Sequence, residues 1–148
     1  MYAGGGSGAV AQGLASIEVA PMEGRAGWLM RNALIDRLAA AGKNSSTPRY
    51  RLDVRLDDRL EGFALHANDT IGRERRTLRA RYQLVDIASA AIILDATAGS
   101  DAGIDVVSSE YATIAAEQTA LENLSREVAD RIVTAVSLKL RDGPPAGR

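Results

Sequence analysis

The stretches RYRLDVRLDDRL, residues 49–60, and TLRARYQLVD, residues 77–86, alternate apolar and polar side chains with a period of two. In the first, Tyr50, Leu52, Val54 and Leu56 interleave with Arg49, Arg51, Asp53, Arg55 and Asp57. In the second, Leu78, Ala80, Tyr82 and Leu84 interleave with Arg79, Arg81 and Gln83. Neighbouring side chains of an extended chain point to opposite sides, so each stretch predicts a strand with one buried and one wet face. A chain built on such strands needs a layer that covers one side of a sheet and leaves the other open. AAIILDATAGSDAGIDVV, residues 90–107, is expected to supply a third long strand, with a turn or bulge around Gly99–Gly103.

Two segments have the period that could form the covering layer. In EGRAGWLMRNALIDRLAAAG, Ala26, Met30, Leu34, Leu38 and Ala41 share one helical face. Near the C-terminus, Leu121, Leu124, Val128, Ile132, Val136 and Leu140 form a longer stripe. Its acidic residues lie towards the start, and Lys139 and Arg141 at the end, which complements a helix dipole. LASIEVA, residues 14–20, reads as a short strand stopped by Pro21, which has no N–H to donate. The order strand, helix, three strands, helix predicts an α+β fold. This is a two-layer sandwich, with two helices packed on one face of a four-stranded mixed, largely antiparallel sheet. The 148 residues suit one core. Residues 1–13, rich in glycine, are expected to be a flexible tether whose natural beginning is missing. Residues 14–141 then form a single domain, 142–148 a disordered tail and 61–72 a mobile loop. Trp28 falls near the edge of the first helical stripe, where packing in the core or its rim competes with a role as an exposed partner anchor.

Catalytic chemistry is hard to assemble from this chain. It has no cysteine and one histidine, His66, expected to be solvated in a loop. Thiol catalysis, Cys-ligated zinc and a His-based metal cluster are therefore excluded within one chain. Asp57 and Asp58 are adjacent in a strand, so they point apart and do not converge on a substrate. GGGSG lacks the Gly-Lys-Ser/Thr ending of a phosphate loop. The reading is a protein that is not an enzyme and has no cofactor or metal.

Charge is distributed unevenly. Residues 43–81 carry ten basic and six acidic side chains, and residues 86–130 carry one basic and nine acidic. These segments either build separate surfaces or attract each other across the fold. The candidate site is the arginine-bearing open face, with Arg55, Arg79 and Arg81, beside a basic turn at Arg73, Arg75 and Arg76. Guanidinium groups suit phosphates because their fork donates two hydrogen bonds at once. Equally, charges on an open sheet face keep it soluble, and Asp53, Asp57 and Glu74 are near enough to pair with some of them. Tyr50 and Tyr82 fall in the buried register, so the face offers no aromatic for base stacking, which counts against nucleic acid.

Several segments resemble the LptE family of lipopolysaccharide-assembly lipoproteins over roughly residues 2–141. IEVAPMEGRAGWLMRNALIDRL is similar to that family's first strand and helix, and YRLDVRL to its second strand. SSEYATIAAEQTALENLSREVADRIVTAVSLKL is similar to its Ala-rich lead-in and final helix. The resemblance implies an N-terminal lipid anchor on the periplasmic side of the Gram-negative outer membrane. It also implies a place as plug inside the LptD β-barrel, and direct lipopolysaccharide binding. The anchoring cysteine is missing, which is attributed to truncation for soluble expression. No family motif assigns lipid-binding residues, so the six arginines rest on charge alone. Another periplasmic lipoprotein, such as an auxiliary component of an ABC lipid transporter, and a nucleic-acid-binding α/β domain are the alternatives.

Overall fold

The computed structural model describes residues 4–41, 47–64, 71–106 and 109–142. In chain order the elements are α1 (Gly4–Ala15), β1 (Ile17–Val19), α2 (Gly24–Ala41), β2 (Tyr50–Ala64), β3 (Ile71–Asp86), β4 (Ile92–Asp105) and α3 (Glu110–Asp142). The strands form one sheet in the order β1-β2-β3-β4. β1 runs parallel to β2, and the two other pairings are antiparallel. The α+β sandwich with a four-stranded mixed sheet is therefore the fold.

The core lies between the sheet and the helices. From the strands it takes Leu52, Leu78, Ala80, Tyr82 and Leu84, and from α2 Met30, Leu34 and Leu38. From α3 it takes Leu121, Leu124, Val128, Ile132 and Val136, nearly the whole stripe legible in the sequence. The buried hydroxyl of Ser125 donates to the Leu121 carbonyl one turn earlier (2.8 Å), so it leaves no unpaired group in this core. α2 and α3 lie side by side, joined at their surfaces by Arg25 with Gln118 and Glu122 and by Arg37 with Asp130.

Several expectations differ from the structure. Residues 4–13, expected as a tether, lie in α1, a third helix that packs against α2 and α3. Val10 and Leu14, one turn apart, turn towards the core, and Leu14 is buried. A Cβ on Gly13 would stand 2.8 Å from Leu140 Cδ1, so this glycine marks a close approach to α3 rather than slack chain. The strand expected over residues 14–20 shortens to β1, because residues 14 and 15 close α1. Residues 61–64 and 71–72, expected in a loop, continue the β2–β3 ladder; the intervening 65–70, with His66, lie outside the described residues. No turn or bulge occurs at Gly99–Gly103. That segment pairs in unbroken register with β3, whose irregularity falls between Leu84 and Val85. Asp142 ends α3, and the rest of the expected tail also lies outside the described residues.

A tight turn joins β3 to β4. Asp86 Oδ1 accepts from the backbone N–H of Ala88 (3.0 Å) and Ser89 (3.2 Å), and Ala90 takes a left-handed backbone with φ 62°. This hairpin sets which residues of β4 stand beside which residues of β3.

Candidate functional site

The face of the sheet turned away from the helices is a grid of charges. Partners across an antiparallel ladder point to the same side, so the register alone assigns each residue to a face. β2 contributes Arg51, Arg55 and Arg59 with Asp53, Asp57 and Glu61 to the uncovered side. β3 adds Arg73, Arg75, Arg79 and Arg81, β4 adds Asp95, Asp101 and Asp105, and β1 adds Glu18. The sum is three plus four arginines against three, three and one acids, or seven of each. Part of the acidic segment, β4, thus lies beside β3 of the basic segment, and their charges pair, while β2 balances its own.

Most of these arginines have ionic partners. Arg51 bonds Asp53 (3.0 Å) and Arg59 bonds Asp57 (3.1 Å), each along its own strand. Arg73 meets Asp105 (3.6 Å), Arg75 meets Asp101 (3.5 Å) and Arg81 meets Asp95 (3.1 Å), all across the β3–β4 ladder. The Arg81 bond, with a second from Gln83, holds the Asp95 carboxyl below its ordinary range, and Asp95 in turn raises the Arg81 guanidinium above its own. Glycines on β4 make room for the stem of one arginine and the guanidinium of another: a Cβ on Gly99 would stand 3.3 Å from Arg79 Cγ, and one on Gly103 would stand 2.6 Å from Arg73 Nη2. That is the role of the glycines expected to form a bulge.

Arg55 and Arg79 differ from their neighbours. Neither has a hydrogen bond or an ion pair among the described residues. Arg55 stands opposite Arg81 and Arg79 opposite Asp57, which makes the two free arginines diagonal neighbours. Two shallow hollows flank them. One, of about 490 Å³, is lined by Asp53, Arg55, Arg81 and Gln83 and by Ala20 and Pro21 at the end of β1. The other, of about 360 Å³, is lined by Thr77, Arg79, Thr97, Gly99, Ser100 and Asp101.

The six arginines expected to form one site do not all share a surface. Arg55, Arg73, Arg75, Arg79 and Arg81 do. Arg73, Arg75 and Arg76 lie in β3, not in a turn, and the period of two sends Arg76 to the helix side. There it donates to Asp58 through Nε (2.9 Å) and Nη2 (2.8 Å) and to the Glu117 carbonyl through Nη1 (2.9 Å). Arg76 therefore ties β2 and β3 to the first turns of α3. Glu74, expected to pair with the open-face arginines, lies beside it. Its Oε1 is buried and accepts from no N–H or hydroxyl among the described residues, which leaves only a proton shared with a second carboxyl to satisfy it. A shared hydrogen bond with Glu117 and burial push the Glu74 carboxyl above its ordinary range, against the pull of Arg76.

The aromatics also depart from expectation. Tyr50 and Tyr82 are buried, as their register implies, and Arg49 stacks 5.1 Å over the Tyr50 ring. Phe63, however, lies at the far end of the open face with the Arg75 guanidinium 5.7 Å over its ring. Trp28 is 60% exposed and belongs to neither core nor rim, because it points away from the stripe of Met30, Leu34 and Leu38. Asp95, Asp101 and Asp105 were the partners that sequence reasoning missed. Their odd-numbered spacing in ILDATAGSDAGID was the available signal, but only the register shows which arginine each one meets. Among the described residues, no group of three or more His, Asp and Glu side chains could hold a metal ion. No described helix is long and apolar enough to cross a membrane.

The sequence profile of the lipopolysaccharide-assembly family LptE matches residues 14–136. Comparison with curated proteins gave no match. Among solved structures, a protein of Caulobacter crescentus CB15 described as a lipoprotein superposes with a TM-score of 0.73 at 26% identity, over 96% of this chain and 99% of that one. Rare lipoprotein B of Shewanella oneidensis gives 0.62 at 12% identity, over 83% and 92% of the two chains. A minor lipoprotein of Acinetobacter baumannii gives 0.65 at 15% identity, over 82% and 88%. The last two likenesses show the shared fold.

Proposed function

This chain belongs to the LptE family of lipopolysaccharide-assembly proteins, and we propose that it acts as a non-enzymatic assembly lipoprotein at the periplasmic side of the outer membrane. In this reading a lipid anchor precedes the folded domain in the natural protein. The domain plugs the LptD β-barrel, and its uncovered sheet face meets lipopolysaccharide on the way to the outer leaflet.

The observation that carries this reading is the pair Arg55 and Arg79. They are diagonal neighbours on the sheet face turned away from the helices, and neither has an ionic partner among the described residues. Phosphate and carboxylate groups of lipid A and the inner core are ligands of the right charge for two adjacent guanidinium forks. Arg81, Arg75 and Arg73 are held in exposed pairs that water and salt screen, so they can turn to an arriving anion at little cost. Seven acids on the same face disfavour a nucleic-acid backbone, which needs an unbroken basic track.

Two measurements test the proposal. Lipopolysaccharide binding by the purified protein is compared with that of the double variant Arg55→Ser/Arg79→Ser, which is expected to bind roughly tenfold more weakly or worse, as loss of charge-assisted bonds implies. Unchanged affinity removes these arginines from the lipid site. Separately, the full-length tagged protein is extracted from its own outer membrane in mild detergent. A stoichiometric large β-barrel partner is expected, and an eluate without one rejects the plug.

A further inference from the structure

β1 pairs with β2 only over Tyr50–Leu52, and Pro21, which has no N–H to donate, follows soon after. From Asp53 onwards β2 has β3 on one side and, among the described residues, no strand on the other. The phase of the bare edge follows from its paired end. Tyr50 N–H donates to the Ser16 carbonyl (3.1 Å) and the Leu52 carbonyl accepts from Ala20 N–H (3.0 Å), so even-numbered residues direct their backbone groups outward. Val54, Leu56, Asp58, Leu60 and Gly62 continue that row, and an unpaired row of this length is a template for another strand.

We propose that this edge pairs with the same edge of a second copy of the chain, antiparallel, about a two-fold axis at Asp58. The open-face side chains of β2 alternate in sign: Asp53, Arg55, Asp57, Arg59, Glu61. A row of one sign repels its own copy, whereas an alternating row complements it when run backwards. With the axis at Asp58, Asp57 meets the second copy's Arg59, and Arg55 meets its Glu61. Arg55 and Glu61 are the two charges of this row that have no ionic partner among the described residues, and the two-fold supplies each with the other. On the helix side, Leu60, 42% exposed in the single chain, comes to lie against the second copy's Leu56.

Other registers are weaker. An axis at Asp57 sets Arg55 against Arg59, and an axis at Arg59 sets Asp57 against Glu61. An axis at Leu56 sets Leu60 against Leu52, whose carbonyl is already occupied by Ala20. The cost of the favoured register is the approach of two Asp58 carboxylates, each already held by two bonds from its own Arg76.

This association goes beyond the lipopolysaccharide reading. It is tested by sedimentation of the purified chain without lipid, so its failure leaves that reading standing. The wild type is expected to show a concentration-dependent monomer–dimer equilibrium. Arg55→Glu and Glu61→Arg each replace two attractive pairs by two repulsive ones and are expected to weaken it roughly tenfold. The double variant Arg55→Glu/Glu61→Arg is expected to recover the dimer, and an equimolar mixture of the two single variants to form a heterodimer. A wild type that stays monomeric into the millimolar range overturns the proposal. So does a dimer that the single reversals leave intact, or one that the double variant and the mixture fail to restore.

Discussion

The two faces of one sheet are built from alternate residues of the same strands, yet they draw on different physics. Towards the helices, Leu78, Ala80, Tyr82 and Leu84 are all at most 2% exposed and pack against α2 and α3. Away from them, Arg79, Arg81 and Asp95 are exposed and paired, where paired at all, in water. Burial returns about 1.5–3 kcal/mol for a large apolar side chain, and an exposed ion pair about 0–1. The covered face therefore holds the fold, while the open face contributes little to it.

The sharpest way to break that contrast is to cut one residue from each face of β3. Leu78→Ala is expected to cost about 2–5 kcal/mol in urea unfolding, because it leaves a cavity in a closed core. Arg79→Ala, one position along, is expected to change stability by less than about 0.5 kcal/mol. Comparable losses would mean that the open face is part of the folding core.

Arg76 shows what happens when a charge sits on the covered side. Its side chain is 13% exposed and that of its partner Asp58 is 23% exposed. Asp58 holds the Arg76 guanidinium above its ordinary value. Arg76→Ala removes its bonds to Asp58 and Glu117 and leaves Asp58 without its cation, for an expected loss of about 1–3 kcal/mol. Arg81→Ser breaks an exposed open-face pair and is expected to move the urea midpoint far less than Arg76→Ala, and less still in high salt.

The two faces should also respond to pH with opposite sign. The Glu74 carboxyl, on the covered side, is raised above its ordinary value of 4.5, so the folded state binds its proton more tightly. Its contribution is complete below that value and is lost as pH rises through the raised one. Glu74→Gln is expected to flatten this part of the curve when urea midpoints are followed upward from pH 4. Asp95, on the open face, is lowered below its ordinary value of 3.8. Its contribution is present above that value and is lost as pH falls through the depressed one, so Asp95→Asn should alter only the acid end.

Much of the covered face was legible in the sequence. The alternation through Leu52, Val54, Leu78 and Leu84, the stripe of Met30, Leu34 and Leu38 and the one from Leu121 to Val136 name most of the core. The site was less legible. Arg76 follows the same alternation as Leu78, two residues on, but the charges around it suggested a turn. The glycines at 99 and 103 suggested a break, whereas they accommodate the arginines of the next strand. The N-terminal glycines suggested slack chain, whereas Val10 and Leu14 anchor a helix to α3.

The sequence by itself determined which side chains share a face, because side-chain direction along an extended chain follows from covalent geometry with a period of two. It also determined that the two faces would differ in character. Only the tertiary structure decided which acid meets which arginine, since the register between β3 and β4 depends on a turn and a long ladder of cross-strand bonds. The two ladders leave Arg55 and Arg79 without ionic partners among the described residues, and the early end of β1 leaves the edge of β2 without a described strand beside it. Both features depend on contacts between residues distant in the chain, which no local period can encode.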